Sequence, residues 1–192
     1  MSDEEKKVEI EQPKPEVHAV FCGEINQNAS HLIAKHLSMA TVHKVPHLHL
    51  LLQSGGGSVS DGIFLYNLLH AMPIEITLYN AGRLASAAVV AYMGARRRKT
   101  TANATFMLHR STQSAQWATA TRLQHLATSV MLDDERIDKI FRERIELPDE
   151  LWTELKYHDV YLSGTEAVEF GIADSIGEFS PPFGTRIFQM MD

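Results

Sequence analysis

Short apolar runs alternate with helix-length amphipathic stretches from Val17 onward, with Gly and Pro at the junctions, and this pattern predicts an α/β fold in one domain. The first strand is predicted over His18 to Cys22 and ends at Gly23. Gln27 to Met39 follows as a helix, with Leu32, Ile33, Leu37 and Met39 on its apolar side and the polar Asn26, Asn28 and Ser30 at its start. His47 to Leu52 is a second strand, closed by Gly55, Gly56 and Gly57. Ser58 to Ala71 is a second helix, stopped by Pro73. A third strand, Ile74 to Tyr79, leads into Ala81 to Ala95, where abundant Ala and Gly predict a buried helix in close contact with neighbouring backbone. Thr105 to Leu108 is a further strand, ending at His109, and Gln116 to Ile145 is the longest helical stretch. Pro148, Asp149 and Glu150 open a short helix; Thr165 to Phe170 is helical and capped by Gly171; Ile172 to Ile176 returns as a strand.

The 192 residues carry 18 Lys and Arg against 24 Asp and Glu, a formal net charge of −6. That acidic balance, with no basic stripe, argues against nucleic acid as the main partner, because neutralising phosphates takes clustered cations. No apolar run approaches the roughly 20 residues of a membrane helix, so no membrane association is expected and the chain reads as cytoplasmic. The single cysteine, Cys22, has no internal disulfide partner and reads as a small buried hydrophobe. Residues 1–16, with six acids, three lysines, Pro13 and Pro15, read as a flexible charged arm. They precede a domain over 17–178 and a tail over 179–192, in which Phe188, Met190 and Met191 are candidates for docking on a neighbour.

Three places carry residues suited to chemistry. Gly55, Gly56 and Gly57 join a strand to a helix, where glycines let the main chain turn its N–H groups toward an anion; a plain tight turn uses the same residues. The missing Gly-Lys-Ser/Thr ending rules out a phosphate-binding loop. Ser86, in Gly82-Arg83-Leu84-Ala85-Ser86-Ala87, stands at a strand-to-helix junction among small residues, either as a nucleophile or as an ordinary helix cap. His109, at the end of a strand, has the residue type of a general base. His47 and His49 share one strand face, but no Cys or carboxylate cluster adjoins them in sequence, so they read as structural and neither metal nor cofactor is expected.

Read together, Gln53-Ser54-Gly55-Gly56-Gly57, Gly82-Arg83-Leu84-Ala85-Ser86 and Met107-Leu108-His109 resemble, in order, motifs of the proteolytic subunit of the ATP-dependent Clp protease, ClpP. Asp159-Val160-Tyr161-Leu162-Ser163 and Glu166 through Asp174 extend the resemblance, which runs from about Val17 to Ile176. The resemblance implies a ClpP/crotonase-type spiral of ββα units with a protruding helical handle, here about residues 116–145. It implies a serine endopeptidase with Ser86 as nucleophile, His109 as base, Asp159 orienting His109, and the backbone N–H groups of Gly57 and Ala87 as the oxyanion hole. It further implies peptide or unfolded protein substrates, a homo-oligomeric ring, heptameric and possibly stacked, and an AAA+ unfoldase that burns the ATP, since nothing in this chain resembles an ATP site.

The chain departs from the family pattern at three points. The Ser86-to-His109 spacing is slightly short, with the basic run Arg96-Arg97-Arg98-Lys99 inside it, which reads as a solvated helix end. Arg110-Ser111-Thr112-Gln113-Ser114-Ala115 replaces the family's Gln-Pro and glycines after the histidine, where substrate is bound and rings are paired. The first residues lack the family's apolar start. Two other functions compete with the peptidase: a non-catalytic ClpP-like ring subunit that supports a partner, and a crotonase-like acyl-CoA enzyme, for which the triad would be superfluous.

Overall fold

A computed structural model describes residues 16–190; the charged arm, apart from Glu16, and Met191 lie outside the described residues. The elements in chain order are β1 (Val17–Cys22), α1 (Gln27–Val42), β2 (His47–Gln53), α2 (Val59–Ala71), β3 (Glu75–Asn80), β4 (Arg83–Ala85), α3 (Ala87–Tyr92), β5 (Arg97–Thr100) and β6 (Thr105–Leu108). After these come α4 (Ala120–Arg144), α5 (Asp149–Glu154), β7 (Val160–Ser163), α6 (Gly164–Glu169), β8 (Ser175–Ile176) and β9 (Ile187–Gln189).

Six strands form a parallel sheet in the order β8-β5-β3-β2-β1-β9. Parallel neighbours need crossover connections, and α1 and α2 supply the first two. Along β2, Leu48, Leu50 and Leu52 are buried in the core while His47, His49 and Leu51 alternate onto the other face. Ile33 and Leu37 of α1, Ile63, Leu65 and Leu69 of α2, and all of α3 join the same core. A second sheet, β4-β6-β7, pairs β4 parallel to β6 and β6 antiparallel to β7. Its junction with the first is the bridge between Ser54 and Leu84, which brings the end of β2 to the start of the serine motif.

The handle forms, but later than expected. Trp117 stands at φ 53, which interrupts a helix, and Thr119 then caps α4 by accepting from the Arg122 N–H. Only Ile137, Ile140 and Phe141 of α4 are buried, so its carboxyl-terminal part packs on the body and the remainder projects.

Five expectations are corrected. Ala81 to Ala95 is not one helix: Arg83–Ala85 pairs as β4, and only Ala87–Tyr92 is helical, although it is wholly buried as predicted. The last three residues of the basic run lie in a strand, β5, and each of these cations meets a group from another part of the chain. Arg97 pairs with Glu75 at 2.6 Å, Lys99 lies over the Tyr79 ring at 5.9 Å, and the buried Arg98 donates to Asp174 at 2.7 Å. Cys22 is exposed, because alternation turns Ala19 and Phe21 inward and leaves this last strand position facing out. The tail folds back on its own domain: β9 pairs with β1, and Met190 is buried in the core rather than offered to a neighbour. The closing strand is also shorter than Ile172 to Ile176, reduced to Ser175 and Ile176.

Asp174 accepts from both the main-chain N–H and the guanidinium of Arg98, each at 2.7 Å. Asp174→Asn removes the charge and keeps the shape. It is expected to lower stability by about 1–2 kcal/mol, less than a fully buried pair because Asp174 is partly open to solvent. A urea titration should show the midpoint fall with an unchanged slope.

Candidate active site

Ser86 sits between β4 and α3, and the backbone there is tightly held. Its N–H donates to the Met107 carbonyl of β6 at 2.8 Å, while Ala85 N–H reaches Ser54 O at 3.1 Å and Ser54 N–H reaches Arg83 O at 3.2 Å. Ser86 adopts φ 56, ψ −131, a conformation an L-residue keeps only under constraint, at a cost on the order of 1–3 kcal/mol. It makes no side-chain cap to α3, so the ordinary helix-cap role is not the one it plays. Its Oγ instead meets His109 Nε2 at 2.7 Å.

His109 follows β6 directly, and β6 explains where Asp159 falls. The β6–β7 pairing runs from Thr105 opposite Ser163 to Leu108 opposite Val160, so the next antiparallel rung sets His109 opposite Asp159. The two line one depression together with Arg110, Leu155 and His158. Among the described residues, however, no hydrogen bond joins them, and Asp159 is exposed. The structure thus brings Ser86 and His109 into contact and leaves Asp159 beside them without a bond to either.

The glycine turn wraps around the serine. Gly56 has φ 99, and a Cβ there would stand 2.7 Å from Ser86 Cβ and 2.8 Å from the Ala85 carbonyl, so only glycine permits this approach. Gly56 O accepts from Ile25 N–H and Ile25 O accepts from Ser58 N–H, both at 2.8 Å. These bonds clamp Gly57 from both sides while its own N–H meets no acceptor among the described residues. Ala87 is the first residue of α3, so its N–H lacks a carbonyl one turn earlier. Beside Ser86 and His109, the side chains of Val59, Val90, Leu108, Ile137 and Phe141, with Ser111, line a shallow, largely apolar recess.

Sequence reasoning missed two tethers on the segment after the histidine. Ser111 N–H donates to Asp134 at 2.7 Å, and Arg110 Nη1 lies 2.8 Å from Asp138 Oδ1, both acids on α4. Residues 110–119 form no strand, in keeping with the missing proline and glycines, and these acids hold the segment to the handle instead. Asp134 and Asp138, four apart and thus on one helix face, were the available signal. The one group among the described residues that could hold a metal ion, Glu16, His47 and His49, lies elsewhere, toward the other end of β2.

A family model described as Clp protease matches residues 4–180. The chain belongs to the Clp protease family. Relatives within it include the ATP-dependent Clp protease proteolytic subunit 1 of Prochlorococcus marinus, 26% identical over 161 residues that make up 82% of each chain. The ATP-dependent Clp protease proteolytic subunit 2 of Pseudomonas aeruginosa is 24% identical over 132 residues, 67% of this chain and 65% of that protein. A solved ClpP1 point mutant from Listeria monocytogenes superposes with a TM-score of 0.73 at 23% identity, covering 84% of this chain and 91% of that one. The architecture is therefore the ClpP-type fold, as the sequence motifs implied.

Proposed function

We propose that this chain is a serine endopeptidase that cleaves peptide bonds in short or unfolded polypeptides as part of an oligomeric ring. The observation that carries the reading is the strained Ser86, with its Oγ 2.7 Å from His109 Nε2. In the proposed reaction His109 Nε2 takes the Oγ proton as the oxygen attacks the scissile carbonyl, and the same nitrogen later returns it to the leaving amine. The N–H groups of Gly57 and Ala87 are the proposed donors to the oxyanion, a role worth about 2.7–4 kcal/mol of barrier per donor in a comparable site. Asp159, one rung beyond the β6–β7 ladder, is the proposed partner for His109 Nδ1 once the side chain turns inward on substrate binding or assembly. The exposed Leu123, Met131 and Leu132 of α4 support an oligomer, because a projecting helix with apolar side chains gains by packing on a second copy. A heptameric ring, stacked on another and fed by an AAA+ unfoldase, is the assembly we propose from family membership.

A fluorophosphonate probe tests this directly. Intact protein is expected to gain one adduct, mapped by mass spectrometry to Ser86, and Ser86→Ala should remove it while circular dichroism is unchanged. An unlabelled wild-type oligomer would sink the proposal. The missing bond between His109 and Asp159 favours one alternative, a ring subunit that is inactive and supports an active partner. That reading expects no adduct on this chain and hydrolysis only after a second, active subunit is added.

A further inference from the structure

We propose that Glu16, His47 and His49 form a binding site for one divalent first-row transition ion, with Zn²⁺ as the reference metal, on the sheet face opposite the core. The site is independent of Ser86, since it stands toward the amino-terminal end of β2 whereas the glycine turn follows the carboxyl-terminal end.

Alternation along β2 puts His47 and His49 on the same side, and the neighbouring strands supply Thr77 and Tyr79 from β3 and His18 from β1 on that face. Glu16, immediately before β1, reaches over both rings: its Oε2 is 3.1 Å from His49 Nε2 and its Oε1 is 3.6 Å from His47 Nδ1. The candidate ligand atoms all lie within 4.8 Å of one another. Tetrahedral zinc with bonds of about 2.0–2.2 Å asks for a modest contraction, and Glu16, with its side chain 55% exposed, is free to make it.

The remaining ring nitrogens are already held in the way metal-bound histidines require. His47 Nε2 pairs with Thr77 Oγ1 and His49 Nδ1 with Tyr79 Oη, each at 2.8 Å. A hydroxyl can donate or accept by rotating. When Thr77 and Tyr79 accept, the protons sit on those nitrogens and the lone pairs of His47 Nδ1 and His49 Nε2 both face the carboxylate, an arrangement that calls for a cation between them. The ring of His18 stacks on that of His49 at 4.5 Å with a 9° tilt and fixes its plane. Two imidazoles and one carboxylate select zinc-like ions over Mg²⁺ or Ca²⁺, with water in the fourth position. A bound ion would fasten the residue that precedes β1 to the strand beside it.

The test uses untagged full-length protein stripped with a chelator and titrated calorimetrically with ZnCl₂, with Co²⁺ as the spectroscopic probe. One ion per chain and the intense visible absorption of tetrahedral Co²⁺ are expected. His47→Ala, His49→Ala and Glu16→Gln should each abolish binding, and Tyr79→Phe should weaken it ten- to a hundred-fold. His31→Ala, on the exposed side of α1, should bind as wild type, which separates this site from scattered surface histidines. Should His49→Ala fail to fold, the exposed Glu16→Gln carries the same test. Labelling of Ser86 is expected to be equal with and without metal, so a failed metal site leaves the peptidase reading untouched. No saturable binding, or binding that survives all three ligand substitutions, overturns the proposal.

Discussion

His109→Ala is expected to lower peptide hydrolysis by roughly 10⁴- to 10⁶-fold, the range for removing the base that activates a serine nucleophile. The Oγ of Ser86 has one close partner in the site, His109 Nε2 at 2.7 Å, and without it the hydroxyl would have to attack carrying its own proton. Fluorophosphonate labelling should disappear in parallel while the denaturation midpoint moves little, because His109 lies past the end of β6 and outside the core. Asp159→Asn separates positioning from proton transfer. If Asp159 engages His109 in the working state, kcat should fall by about 10⁴ with KM little changed. An unchanged kcat would show that the Ser86–His109 pair works alone.

Gly56→Ala should abolish activity and destabilise the protein together, an uncommon pairing for the addition of one methyl group. The new Cβ would stand 2.7 Å from Ser86 Cβ and 2.8 Å from the Ala85 carbonyl, on a residue already at φ 99. Neither neighbour can yield, since Ser86 is pinned through Met107 and Ala85 through Ser54. The expected cost is about 1–3 kcal/mol for the backbone conformation, with a steric penalty on top. Relief of the clash would shift Ser86 away from His109, so labelling should be lost even at temperatures where the variant remains folded. Gly55→Ala is the control: nothing lies within 4 Å of a Cβ at Gly55, and near-normal labelling is expected. Full activity in Gly56→Ala would show that the turn is looser than its contacts imply.

Most of the fold was legible because its signals are local. The strand alternation of Leu48, Leu50 and Leu52, the glycine-closed turn after β2 and the Gly171 cap each state their structure within a few residues. What failed was decided by partners far along the chain. The run Arg96 to Lys99 reads as a solvated helix end, because sequence does not reveal that Glu75, Asp174 and Tyr79 wait beside Arg97, Arg98 and Lys99. The tail strand was invisible because β9 is exposed and is held by main-chain bonds to β1, which any sequence can make. For the site, Ser86 and His109 were candidates from their junctions alone, whereas Asp159 entered only through resemblance to a known family. Its physical address is the β6–β7 register, which cannot be read from residue types. The cluster of Glu16, His47 and His49 escaped for the same reason: the carboxylate sits some thirty positions before the histidines and meets them only across two strands.

The pairing of β9 with β1 also sets an order of events during synthesis. The inner edge of β1 can zip to β2 as soon as α1 has formed, but the outer edge stays bare until the chain has been made past Gln189, leaving Val20 O without the Met190 N–H that finally meets it at 2.8 Å. A nascent polypeptide therefore carries an open strand edge from the emergence of β1 until β9 has been made, and such an edge is an invitation to another strand. Stalled or prematurely terminated chains would leave the ribosome with that edge uncovered, even where everything upstream had already folded.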